Sequence, residues 1–207
     1  LDKMQEEFNL HPLAMEDAHH GHQRPKVEEY GETLFVVMHL PEIVAGELRV
    51  GEVMVFTGSN FILSIRNRNS QHFLGVRERA ERESHLLRHG SGFVLYALMD
   101  AVVDRYFPIA DMLESELEAI EELIFSKGSG RANVERLYEL KQRLTTLKHA
   151  VTPLMDGTRR LFGGRVPQVC SNHEAYFRDV YDHLERINLL LRSLRDTAPP
   201  RSDEVVA

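Results

Sequence analysis

The chain has 207 residues, 43% of them hydrophobic and 28% charged, with a formal net charge of −7. That length can bury a real core, as one domain or as a small domain with an extension. The acidic balance argues against nucleic acid as a partner, because phosphate binding needs a basic footprint, and it leaves room for cations.

Cys170 is the single cysteine, which excludes an internal disulfide and fits a reducing compartment. A lone cysteine reads first as a small buried hydrophobe and only second as a nucleophile. Leu1 rather than Met opens the chain, with no charged-then-apolar leader behind it. No run of about 18 apolar residues, the length a bilayer span requires, occurs. A start inside a helical pattern and the polar ending "APPRSDEVVA" lead us to expect a fragment of a longer protein.

In chain order, residues 1–22 read as two short helical pieces, with Pro12 at a first-turn position where proline is tolerated. "LFVVMHL" (34–40) has the apolar, β-branched content of a buried strand. Residues 48–66 read as a hairpin whose turn is Gly58, Ser59 and Asn60. The alternating Arg and Glu of 70–88 predict a solvated helix.

From Ser91 to Phe125 one long helical pattern carries Leu95, Leu98, Val102, Tyr106, Ile109, Leu113, Leu117, Ile120 and Ile124. "SKGSGR" breaks it, and Gly128 and Gly130 are good helix-stop residues. A second pattern follows at Leu137, Leu140, Leu144, Leu147, Val151, Leu154 and Leu161. Spacings of three and four define a packing seam, so the two patterns predict an antiparallel hairpin roughly 50 Å long. A third long helix starts near Ser171, with its seam at Phe177, Val180, Leu184, Ile187, Leu191 and Leu194.

The expected fold is therefore α+β: a small mixed β-sheet flanked by helices, then a long antiparallel helical hairpin and a long C-terminal helix. The expected divisions are an α/β unit over residues 1–90, the hairpin over 91–165 and the third helix over 171–197.

Acidic residues gather at Glu16 and Asp17, at Asp100 and Asp104, along a stripe of Glu114, Glu118, Glu121 and Glu122, and at Asp179 and Asp182. Each set can be a solvated helix face. Together they can also serve a hard divalent cation, because Mg²⁺ keeps several waters and needs only one or two carboxylates. "EDAHHGH" offers a rival, in which His19, His20 and His22 with Glu16 and Asp17 ligate Zn²⁺. Adjacent histidines in a loop diverge, however. No Gly-x-Ser-x-Gly, phosphate-cradling glycine loop or His-Glu-x-x-His occurs, so the chain does not read as an enzyme.

"FNLHPLAMEDAHHGHQRPKVEEYGETLFVVMHL", "LMDAVVDRYFPIADMLESELEAIEELIF" and "YFRDVYDHLERI" together resemble the CorA family of magnesium and cobalt transport channels, over about residues 5–197. The resemblance implies the regulatory half of a homopentameric funnel at the cytoplasmic face of the cell membrane. The third helix would begin the stalk that leads to two transmembrane helices. Those helices, the Gly-Met-Asn pore signature and the family's first strands are not in this chain.

The resemblance also implies that regulatory Mg²⁺ binds between subunits, at Asp17 with Asp179 and at Glu16 with Asp100. Co²⁺ is a further candidate ion. Rival readings are a zinc-transporting relative with the same funnel and a soluble helical adaptor that binds partner proteins along its hairpin.

Overall fold

A computed structural model describes residues 2–67, 75–82, 84–127 and 130–197. The first part of the solvated helix expected over 70–88, Gly128 of the expected helix stop and the polar ending fall outside the described residues.

Two short helices, α1 (Asp2–Phe8) and α2 (Pro12–His20), lead into a four-stranded sheet. Its strands are β1 (Lys26–Tyr30), β2 (Thr33–Val44), β3 (Glu47–Thr57) and β4 (Ile62–Asn67), and they lie side by side in chain order. Every described pairing is antiparallel, where a mixed sheet was expected. The connections explain it: a few residues can close a hairpin, whereas a parallel crossover needs a dozen or more. Between β2 and β3 the two linking residues, Ala45 and Gly46, have φ of 52° and 85°. Positive φ at both central positions matches the right-handed twist of the flanking strands.

β1 was not anticipated. Three of its five residues are charged, which hides it from a search for apolar runs. It forms because it is an edge strand, where charged side chains are tolerated and discourage further pairing.

Side chains alternate across a sheet, and here both faces are covered. Phe35, Val37, Met54 and Phe56 pack on Leu10, Ala14, Met15 and Ala18, around α2. Leu34, Val36, Met38, Val53 and Val55 face the other way and join a larger core with the remaining long helices. These are α5 (Ser91–Asp104), α6 (Tyr106–Lys127), α7 (Arg131–Thr158) and α8 (Glu174–Thr197), reached through the short α3 (Val76–Arg82) and α4 (Ser84–Leu87). The larger core runs without interruption from the sheet to Leu194, so the three expected segments share one hydrophobic interior.

The single helix expected over 91–125 is two, parted at Arg105, whose N–H bonds back to the Val102 carbonyl. Pro108 falls in the first turn of α6, where its missing N–H costs no helical hydrogen bond. The apolar spacing passes through the break unchanged. Tyr106 at the junction is fully buried and donates its hydroxyl to the His39 carbonyl at 2.7 Å, tying α6 to β2. Burial raises the Tyr106 pKa.

The seams of α7 and α8 are buried as their spacing predicts: Leu137, Leu140, Leu144, Leu147, Val151 and Leu154 on one, Phe177, Val180, Leu184, Ile187, Leu191 and Leu194 on the other. Glu116 and Arg143 pair across α6 and α7. His173 immediately precedes α8, and its carbonyl accepts from the Tyr176 and Phe177 N–H groups. Its ring is buried, with Nδ1 3.0 Å from the Ser171 carbonyl.

Two predictions follow from this packing. A Cβ on Gly92, in the first turn of α5, would overlap the Val169 carbonyl oxygen, and backbone cannot yield as a side chain can. Gly92→Ala should lower stability by about 1–3 kcal/mol, the usual cost of overpacking. At this chain length that is a fall of roughly 2–4 °C in Tm per kcal/mol, read by thermal melting.

The second prediction concerns His173. Desolvation by burial, with His89 nearby, depresses its pKa below the ordinary 6.5, against the opposing pull of the Ser171 carbonyl and Glu174. The unfolded chain therefore takes up a proton first as pH falls. Stability should be full above about 6.5 and decline as pH drops towards the folded-state value. His173→Asn should flatten the dependence of Tm on pH between about 7 and 5; an unchanged slope would remove His173 from the account.

Candidate metal-binding site

Glu16 and Asp17 lie in the second turn of α2, which opens with His11 as N-cap and Pro12 in its first turn. The buried Ala14, Met15 and Ala18 fix the helix on the sheet. Glu16 then points to solvent, and Asp17 reaches the β1 edge at three-quarters burial. There Lys26 Nζ stands 2.7 Å from Asp17 Oδ2 and 2.7 Å from Glu28 Oε2.

Lys26, Glu28 and Tyr30 occupy alternate positions on the same face of β1. The Tyr30 hydroxyl donates to Glu28 Oε2 at 3.0 Å, and Lys26 sits 5.7 Å above the Phe35 ring. Burial works against the Lys26 charge, but its hydrogen bonds to Asp17 and Glu28 outweigh that and hold its pKa above the ordinary value. Asp17 is thus half of a compact ion pair within its own chain.

Asp100 lies on the opposite side of the sheet, buried in α5. Asp104 follows one turn later at the surface, and His183 approaches from α8. One ligand atom from each of the three lies within 4.8 Å of the others, and among the described residues this is the one such group of three or more. Two carboxylate oxygens and an imidazole nitrogen suit a divalent cation of intermediate softness.

The His183 ring meets Phe107 edge-on at 5.7 Å, and its Nδ1 is buried without a hydrogen-bond partner. Its Nε2 lies 4.0 Å from Asp179 Oδ1, one helical turn earlier. Asp179 itself is 56% exposed and Asp182 is exposed, because Phe177, Val180 and Leu184 take the inward positions.

The structure therefore does not bring Asp17 to Asp179, or Glu16 to Asp100, within one chain. The first member of each pair rides on α2, on one face of the sheet. The second belongs to the helical layer on the other face. Their donor set is all oxygen and fits a hard cation such as Mg²⁺, provided that a second copy supplies the other half.

His19 and His20 end α2, where a loop was expected, and with His22 beyond it the three do not converge. His19 Nε2 turns to Asp2 at 3.3 Å, His20 Nδ1 to the carbonyl of Glu16 at 2.9 Å, and exposed His22 uses its backbone N–H on Glu52. Along α6, Glu114 is half-buried while Glu118, Glu121 and Glu122 are exposed. Cys170 is buried and its thiol is pushed up to about 12, mainly by desolvation, which suits a core residue and not a nucleophile.

His183 and Lys26 were missed in the sequence as site residues. His183 carries a usable signal, its four-residue spacing from Asp179 on an amphipathic helix. Lys26 carries none, because its distance from Asp17 depends on how α2 crosses β1.

The family described as CorA-like Mg²⁺ transporter protein matches residues 1–205. The cobalt/magnesium transport protein CorA of Thermotoga maritima is 30% identical over 199 residues, which cover 95% of this chain and 56% of that protein. This chain therefore spans little more than half the length of that relative. Among solved structures, full-length CmaX superposes with a TM-score of 0.70 at 20% identity, over 90% of this chain and 57% of that one. The soluble domain of CorA from Methanocaldococcus jannaschii gives 0.63 at 18% identity, over 95% and 81%. The two superpositions establish a shared fold. No helix among the described residues is long and apolar enough to cross a membrane. By the match across nearly its whole length, the chain belongs to the CorA-like Mg²⁺ transporter family.

Proposed function

We propose that this chain is the regulatory domain of a divalent metal ion transporter, placed at the cytoplasmic face of the cell membrane, and that it senses Mg²⁺ through carboxylates shared between neighbouring copies. The transport of Mg²⁺ or Co²⁺, the homopentameric ring and the membrane-embedded part belong to this reading of the whole protein. The observation that carries it is the separation of the four acids: Glu16 and Asp17 sit on one side of the sheet, Asp100 and Asp179 on the other. An arrangement that cannot close on itself can close on a neighbour.

Two carboxylates about 4 Å apart repel by roughly 4 kcal/mol at an effective dielectric near 20. A ring repeats that cost at every interface. A divalent cation supplies the missing charge, and partial hydration of Mg²⁺ keeps its affinity modest, as a feedback sensor requires. The ion shifts the population towards the compact, closed ring because it binds that state better. Loss of the ion lets the carboxylates push the interfaces apart and the α8 helices tilt.

A transition-metal reading has one observation in its favour, the His183 nitrogen beside Asp100 and Asp104. The same experiment separates the two. The chain is titrated with Mg²⁺, Co²⁺ or Zn²⁺ and followed by sedimentation velocity and by protection from proteolysis. Mg²⁺ should promote assembly and protection, and Asp17→Asn or Asp179→Asn should abolish both while leaving the metal-free Tm within a few degrees. Absence of any Mg²⁺-linked change in the unaltered chain would favour an adaptor and overturn the proposal. A response to Co²⁺ or Zn²⁺ alone, lost in His183→Ala, would move the site to the second reading.

A further inference from the structure

We infer that Lys26 is a tethered counter-ion for Asp17, which competes with the divalent cation for the same carboxylate and so sets the concentration at which the sensing site fills. This rests on the reading of Asp17 as a cation ligand.

Lys26 Nζ and a divalent cation compete for the same negative charge, the Asp17 carboxylate, whose Oδ2 the ammonium holds at 2.7 Å. The pair is no loose surface contact. Both side chains are only about a quarter exposed, with relative accessibilities of 26% and 25%, so water screens them poorly. An incoming cation meets a positive charge already in place, and the repulsion between the two opposes its binding until the ammonium draws back.

The displaced ammonium has somewhere to go. Glu28 Oε2, also 2.7 Å away, is held by the Tyr30 hydroxyl, and the Phe35 ring lies beneath the amine. Lys26 can therefore release Asp17 without becoming a buried, unpaired charge, the outcome that makes breaking such pairs expensive. One ammonium group bridges Asp17 and Glu28 at once, and it can keep the second when it gives up the first. With the ion absent, Lys26 neutralises Asp17 and limits the repulsion that Asp17 exerts on a neighbour. With the ion bound, Lys26 rests on Glu28.

Such a device has two opposite consequences when Lys26 is removed. The cation should bind more tightly, because its competitor is gone. The ion-free assembly should loosen, because Asp17 has lost its neutralising partner. A lysine acting only as a strut between α2 and β1 would produce the second effect without the first.

The test titrates Mg²⁺ into the chain and its Lys26→Met, Lys26→Arg and Glu28→Gln variants, reading protease protection and sedimentation. Lys26→Met should lower the Mg²⁺ midpoint by about tenfold, the equivalent of one charge-assisted hydrogen bond, and weaken assembly in chelator. Lys26→Arg should stay near the unaltered chain, since its charge remains. Glu28→Gln removes the resting position, holds Lys26 on Asp17 and should raise the midpoint several-fold; it serves as an independent test if Lys26→Met folds poorly. An unchanged or raised midpoint in Lys26→Met, or a lowered one in Glu28→Gln, overturns the inference. Asp17→Asn distinguishes that failure from a failure of the sensor reading. If Asp17→Asn loses the Mg²⁺ response while Lys26→Met behaves as the unaltered chain, only the role of Lys26 falls. If Asp17→Asn keeps the full response, the sensor reading falls with it.

Discussion

The alternation of side chains along β2 and β3 is the constraint on which the rest of this molecule depends. Phe35 and Val37 face one way and Leu34, Val36 and Met38 the other, all of them buried. A one-residue slip would exchange the two sets and leave neither layer its partner. Because both sets are apolar, both faces must be covered. α2 is recruited to one side and the four long helices to the other. The separation of Asp17 from Asp179 is a direct result: a sheet lies between the elements that carry them.

The same logic repeats within α8. The helix owes its place to a row of six buried apolar residues from Phe177 to Leu194, and a helical stripe leaves most positions beside it facing outward. Asp179 and Asp182 are exposed because Val180 and Leu184 are not. His183 falls at the margin, with one nitrogen buried and the other towards Asp179. A carboxylate beside a packing seam is displayed by a rigid support, with its direction set by hydrophobic contacts that do not involve the charge. That permits Asp179 to meet an ion or a neighbour without the helix having to form at that moment.

Local periodicity made much of this legible in the sequence. The seams of α7 and α8, the turn at Gly58–Asn60 and the buried run of β2 are all properties of short stretches, and each appears where the spacing puts it. β1 was invisible because an edge strand is selected for charge as well as for pairing, so "KVEEY" looks like a loop. The interruption at Arg105 was hidden because the apolar spacing continues across it, and Pro108 was the overlooked sign. The antiparallel sense of the whole sheet could have been read from its short connections. At the site, Asp17, Asp179, Glu16 and Asp100 were picked out by family resemblance, whereas the groups that approach Asp17 and Asp100 come from elements that meet only in the folded chain. Lys26 is nine residues from Asp17 and His183 is 83 from Asp100. No pattern in a single stretch reports either approach.

The two halves of the proposed site are electrostatically unequal, and the inequality bears on how an ion would be held. Asp179 is more than half exposed, with a histidine at 4.0 Å as its near neighbour. Asp17 is mostly buried and already paired with an ammonium group. An exposed carboxylate contributes little binding energy of its own, since water and salt screen it. A buried one contributes more, but here it must first be taken from Lys26. Neither half is therefore a strong cation site alone, and strength has to come from bringing them together. In the proposed ring, occupancy and the interface would favour one another, so that the ion and the proximity of neighbouring copies act together.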